Sequence, residues 1–278
     1  MSCYISNLEA KMAAPETSRK TLDKALALLM EFSNERPELA VSELSERLGM
    51  HKSIVSRLAA SLRAWGMLEL NPVSGRLRIG PAAFRIGTLF SQRNMLAELA
   101  MPLLADLVHR TGHSAHLSVL DGLRILVIAT VESPNALRVI MRVGDQRHLH
   151  ATAAGKLFLA LSPPDLLGSV RESLAKHAFT PQTIVKAEHL VQEFPGIRRT
   201  KQAMNLGESH IGIGAIAAAV LSSTDEMLGA ISTVFPLGIV DKAEQVRIAD
   251  HTSACAQVLA NKFYQSRYYS SAKPKKGD

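Results

Sequence analysis

Residues 41–62, VSELSERLGMHKSIVSRLAASL, constrain this chain more than any other stretch, because they read as two short amphipathic helices joined by a tight Gly49-Met50 turn. In the first helix Val41, Leu44 and Leu48 share one side, while Ser42, Glu43, Ser45, Glu46 and Arg47 face water. Gly49 stops it, since glycine enters the left-handed conformation without a steric penalty and lets the next helix cross at a steep angle. The second helix begins near His51 with an apolar stripe of Ile54, Leu58 and Leu62, flanked by Val55 and Ala59. Its opposite face, Lys52, Ser53, Ser56, Arg57, Ala60 and Arg63, is small, polar and basic. That composition suits a DNA major groove, where acidic or bulky apolar side chains would repel or clash.

The flanks extend the pattern. Residues 21–32 form another helix, with Leu22, Ala25, Leu26, Leu29 and Phe32 in 3.6-residue register, so three helices can share a small core. Residues 67–79 read as a hairpin: Leu68 and Leu70 alternate with polar neighbours, residues 71–75 supply turn chemistry, and Leu77 and Ile79 alternate on return. Three helices and a hairpin make a winged helix, whose wing carries Arg76 and Arg78 on one face toward phosphate or a minor groove. Residues 17–87 hold eleven Lys or Arg against seven Asp or Glu, a net of +4 within the chain's +7. A basic field at one end fits counterion-releasing contact with DNA, and it also fits ordinary solubility.

At 278 residues and 47% hydrophobic content the chain can fill two cores. It has no uncharged apolar run near the ~20 residues that cross a bilayer and no signal-peptide core, which predicts a cytoplasmic protein with no membrane partner. Cys3 and Cys255 are not expected to form a disulfide. The expected organisation is a disordered leader (1–16), a winged-helix domain (17–81), a linker helix (82–101), a sensor domain (102–266) and a basic tail (267–278).

The helical stretch 82–110 is expected to break once, at Pro102, with one helix ending near Met101 and another starting there. Leu89, Phe90, Met95, Leu96 and Leu99 give the first helix enough apolar surface for a dimer contact, which a two-fold DNA site also demands, or for packing on their own wing. Beyond it, strands at 116–120 and 124–131 flank an Asp121-Gly122 turn, and a third strand is expected at 137–143. Residues 152–161 read as a helix capped by Thr152, whose free backbone N–H groups and positive dipole end suit a carboxylate. Strands at 211–221 and 227–234 enclose a turn at 222–226, and a last helix covers 241–265. A sheet covered by helices on one face gives an α+β sensor fold. Ala215, Ala217, Ala218 and Ala219 are expected to leave room beside the sheet, with the Ser232 hydroxyl nearby.

Competing chemistry is weak. Gly212-Ile213-Gly214 with Ala217 fits G-x-G-x-x-A, but it lacks the preceding strand, the following helix and the acidic residue of a dinucleotide site. His148 and His150 would point the same way in an extended segment and could hold a metal with a third ligand, but no Cys is near and Asp145 is the only close carboxylate. The helix carrying His109 breaks at Thr111-Gly112 before His113, and Ser209 lacks the second glycine of a nucleophile elbow. No catalytic residue, metal or cofactor is expected.

The runs ALALLMEF, VSELSERLGMHKSIVSRLAASLRAWGMLEL and GRLRIGPAAFRIG, then RVGDQRHLHATAAGKLFLA, IGIGAIAAAVL and LGAISTVFP, together resemble the IclR family of bacterial transcription regulators from about Ser18 to Phe263. The resemblance implies a winged helix-turn-helix joined by a helical linker to a GAF-like sensor, in dimers that pair again into tetramers on a pseudo-palindromic operator of double-stranded DNA. Lys52, Ser53, Ser56, Arg57 and Arg63 would face the duplex, with Arg19, Lys20, Arg76 and Arg78 anchoring the backbone. The effector, an organic acid or aromatic metabolite, would be walled by Met141, Leu149, Ala153, Ala154, Gly155, Asn205, Ile213, Ala215 and Ser232. Many relatives carry an acid where Asn205 stands and a cysteine or other polar residue at Ala215, so this pocket is expected to be less polar and its ligand different; His148 also replaces a frequent proline. Two other readings stay open: an architectural or ligand-independent DNA-binding protein whose second domain only oligomerises, and an enzyme built on that domain, for which no residues speak.

Overall fold

The computed structural model describes residues 21–93, 95–135 and 139–271, in two compact units that divide at Asn94/Met95. The leader, Arg19, Lys20 and the end of the basic tail lie outside the described residues.

The first unit contains α1 (Thr21–Leu29), β1 (Glu38–Leu39), α2 (Val41–Leu48), α3 (Lys52–Ala64), β2 (Leu68–Leu70), β3 (Leu77–Ile79) and α4 (Pro81–Arg93). Gly49 sits at φ 62° and ends α2 as anticipated, its N–H bonding back to Glu46. The Ser45 hydroxyl donates to the Met50 carbonyl, which fixes the turn into α3. Leu28, Leu44, Met50, Val55, Leu58, Leu68 and Leu77 make one core. The centre of the α3 stripe is Val55, Leu58 and Ala59, while Ile54 and Leu62 lie at its edges. The short β1 was not visible in the sequence; it pairs antiparallel with β3, so the wing is a three-stranded sheet in the order β1-β3-β2.

The second unit runs through α5 (Met95–Thr111), β4 (Ser114–Asp121), β5 (Arg124–Val131), β6 (Gln146–His148), α6 (Ala153–Leu161), α7 (Asp165–Leu174), α8 (Ala187–Thr200), β7 (Gln202–Leu206), β8 (Ile213–Leu221), β9 (Met227–Pro236) and α9 (Lys242–Ser271). Its six strands form one antiparallel sheet, β6-β5-β4-β9-β8-β7. Strand alternation splits the core: Leu117, Ala218, Val220 and Ile231 meet α5 and α9, whereas Ile125, Ala217, Ala219 and Ala230 meet α6 and α8.

Four expectations are corrected. Helices cover both faces of the sheet, not one. The helix containing Pro102 is unbroken from Met95 to Thr111. Packing of Ala100, Leu104, Leu107 and Val108 into the sheet outweighs the hydrogen bond the proline forfeits. Leu96 is buried in that core and Leu99 packs against it, so neither is available to a dimer contact. The strand expected at 137–143 is not formed at 139–143, and residues 137 and 138 lie outside the described residues. Val139, Ile140 and Met141 all face one cavity, which a pleated strand cannot arrange, and the third strand is β6.

At the start of α6, the Thr152 hydroxyl accepts the Gly155 N–H at 3.1 Å. A Cβ on Gly155 would stand 2.1 Å from the Leu149 carbonyl oxygen and 2.4 Å from Leu149 Cα. Gly155→Ala should therefore cost at least about 3 kcal/mol in urea unfolding of the full chain. A loss under about 1 kcal/mol would mean that the backbone at 149–155 can spread.

Candidate functional site

The outer face of α3 is open. Lys52, Ser53, Ser56, Arg57 and Arg63 are all exposed, opposite buried Val55, Leu58 and Ala59. The helix carries three cations and no carboxylate, and among the described residues no acid pairs with any of the three. Two acids of the same unit are engaged within it. Glu43 accepts the Ala40 N–H at 2.6 Å and meets Arg76 Nη2 at 2.5 Å, and Glu31 holds Arg47 at 2.6 Å. The Arg76 guanidinium, with the Ala40 N–H, keeps the Glu43 carboxyl below the usual carboxylate range.

The wing arginines are placed differently from the α3 cations. Arg76 fastens the hairpin to α2 through Glu43 and also reaches the Glu38 carbonyl, while Arg78 Nη2 meets Glu69 at 2.6 Å across β2 and β3. Both stay partly exposed, but each already has a carboxylate that a phosphate would have to displace.

In the second unit a cavity of about 510 Å³ lies between the sheet, the N-terminus of α6 and the segment from β7 to β8. That volume falls within the range of small-molecule sites. Seven residues expected there line it: Met141, Ala153, Ala154, Asn205, Ile213, Ala215 and Ser232. Leu149 and Gly155 do not. Leu149 is buried in the core beneath α6, and Gly155 is spent on the close approach to it. Ala217, Ala218 and Ala219 do not make room for a ligand either, because they seat helices on the two faces. Sequence reasoning missed His116, Arg147 and Ser209 on the wall. His116 alternates with Ser118 on one face of β4, a polar pattern that could have drawn notice, but nothing local marks Arg147.

The wall is chemically divided. The first α6 N–H groups have no partner within the helix, and Arg147 adds a guanidinium held by Asp145 at 3.3 Å. Asn205 is buried and saturated: its amide donates to the Ala151 carbonyl at 2.7 Å and the Ser209 hydroxyl at 3.1 Å, and its oxygen accepts the Glu208 N–H at 2.8 Å. A carboxylate at that position could not donate to Ala151. His116 Nδ1 and Ser232 Oγ are buried without any partner. His148 lies apart, its ring 4.2 Å from that of His177 and its Nε2 3.0 Å from Arg124. Among the described residues no three His, Cys, Asp or Glu side chains are placed to hold a metal ion.

Beneath the cavity, Lys156 is buried and its ammonium meets Glu208 at 2.6 Å and Glu193 at 3.0 Å. Thr183 donates to the Glu208 carbonyl at 2.6 Å and Thr180 to the Gly207 carbonyl at 2.8 Å. The segment leading to Ser209 and His210 on the cavity wall is thus tied to α6 and α8.

Comparison with known proteins agrees with both halves. The family description "IclR helix-turn-helix domain" matches residues 21–72, and "Bacterial transcriptional regulator IclR C-terminal" matches residues 89–261. The chain is 31% identical over 242 residues to the HTH-type transcriptional regulator BhcR of Paracoccus denitrificans, covering 87% of this chain and 86% of that one. A crystal structure of an IclR-type regulator from Silicibacter superposes with a TM-score of 0.77 at 28% identity, over 87% of this chain and 96% of the other. An IclR homologue from Microbacterium hydrocarbonoxydans, crystallised with 4-hydroxybenzoate, shares the fold with a TM-score of 0.71 at 21% identity, over 87% of this chain and all of that one.

Burial, reinforced by Arg147 and only partly opposed by Asp145, pushes the His116 imidazole down to about 4. The folded state therefore resists a proton that the unfolded chain accepts near pH 6.5. Stability from this group is complete above pH 6.5 and is lost as pH falls toward 4, by up to about 3 kcal/mol. In urea unfolding across that range, His116→Leu should remove this part of the slope; an unaltered slope would count against a neutral, buried imidazole.

Proposed function

This chain belongs to the IclR family of bacterial transcriptional regulators, with a helix-turn-helix domain that binds DNA and a C-terminal domain that binds an effector, and from that premise we propose the following division of roles. α3 enters the major groove of a pseudo-palindromic operator, with Lys52, Ser53, Ser56 and Arg57 at bases or phosphates and Arg63 at the flanking backbone. Arg19, Lys20 and Arg78 add phosphate contacts, while Arg76 mainly holds the wing. The observation that carries this reading is the acid-free, exposed face of α3, whose three cations pair with no acid among the described residues.

Two copies bind the two half-sites. The apolar, exposed Phe84, Ile86 and Leu89 of α4 support pairing through that helix, with dimers pairing again into tetramers. The effector is a small organic acid, aliphatic or aromatic, seated in the 510 Å³ cavity with its carboxylate toward the α6 N-terminus and Arg147. It changes operator affinity by about 1–3 kcal/mol, the usual scale of coupling between sites. The protein works in the cytoplasm and catalyses no reaction. Among the described residues no helix is long and apolar enough to cross a membrane.

Arg57→Ala should leave the fold intact and weaken specific operator binding by about 1–3 kcal/mol in a gel-shift titration, with a shallower salt dependence. Unchanged affinity would remove Arg57 from the interface. Binding that hardly varies with DNA sequence would favour an architectural role.

A further inference from the structure

Accepting the cavity as the effector site, the geometry points to a second polar subsite on its floor, where His116 and Ser232 select an acid that carries a neutral oxygen, hydroxyl or keto, away from its carboxylate.

The two residues are directly opposite in the β4–β9 ladder, so their side chains leave the sheet side by side on one face, and both line the cavity. Their Cβ atoms are then about 5 Å apart, close enough for one ligand oxygen to meet both. His116 is 4% exposed and Ser232 2% exposed, yet His116 Nδ1 and Ser232 Oγ find no hydrogen-bond partner. Of the other polar side chains on the wall, Asn205 uses both ends of its amide and the Thr152 hydroxyl caps Gly155; the third buried atom without a partner, Glu208 Oε2, belongs to a residue that does not line the cavity. Leaving a buried polar atom unpaired is costly, and two on adjacent residues that line the same cavity mark a place where a ligand completes the set once these side chains turn toward it.

The chemistry of the pair defines what it accepts. Burial and Arg147 keep the imidazole neutral at physiological pH, with Asp145 opposing. The floor therefore offers dipoles, one imidazole and one hydroxyl, and no charge. A hydroxyl can donate to one and accept from the other; a keto oxygen can accept from both. A second carboxylate would lie against neutral groups, so the selected ligands are monocarboxylates. Around the pair, Ile125, Ala215 and Val234 supply apolar contact for the carbon frame between the two polar ends.

The test uses matched acids that differ only in the distal oxygen: benzoate against 3- and 4-hydroxybenzoate, and butyrate against 3-hydroxybutyrate and acetoacetate. Each is titrated calorimetrically into full-length wild-type protein and the His116→Leu and Ser232→Ala variants. At least one oxygenated acid should bind about 10- to 100-fold more tightly than its parent. In each variant that preference should collapse toward one, because the oxygenated acid binds more weakly and the parent more tightly. Ser232→Ala, which removes a single atom, keeps the test open if His116→Leu does not fold. Equal binding within every pair, or a preference that survives in a folded variant, overturns the subsite and leaves the acid-effector reading standing. If no acid of either series binds, the acid-effector reading fails and takes the subsite with it.

Discussion

Burial of one ammonium organises the effector half. Lys156 is 1% exposed on α6, and burying a cation is costly unless it is paired. Its partners arrive from two other elements, Glu193 on α8 and Glu208 just beyond β7. Satisfying the charge therefore helps set where α6 lies, and the start of α6 forms part of the cavity wall. Desolvation raises the affinity of Glu208 for a proton, and Lys156 opposes it. The cluster is thus held by geometry as much as by charge: Asn205, Thr180 and Thr183 pin the same segment through its backbone.

Small residues serve this arrangement by yielding space to helices. Gly155 lets α6 start against the Leu149 backbone, and Ala217, Ala218 and Ala219 let helices settle onto both faces of β8. Only Ala215, one alternation step before Ala217, opens onto the cavity. The difference is positional: at the N-terminal end of α6 the sheet face is only partly covered, and the same residue type changes from packing surface to pocket wall.

In the DNA-binding half, charge is sorted by pairing. Glu31 and Glu43 hold Arg47 and Arg76, which ties α2 to its neighbours. The cations left on α3 are those whose side chains point out from the buried Val55, Leu58 and Ala59. One hydrophobic stripe thus both builds the core and aims the contacts, since the two faces of a helix cannot be chosen independently.

Features that arise from neighbours in the chain were legible without coordinates: α2, the Gly49 stop, α3, the Asp121-Gly122 hairpin, the Thr152 cap and the β8–β9 pair. Each depends on periodicity or on a backbone preference within about one turn, so the residues themselves encode it. β1 and β7, the uninterrupted helix through Pro102, and helices on both sheet faces were decided by packing between distant segments. So was the cavity wall, where His116 and Arg147 join and Leu149 and Gly155 leave. A single strand does not say which strand it will pair with, nor a helix what will cover it, because register and burial are set only when the remote partner arrives.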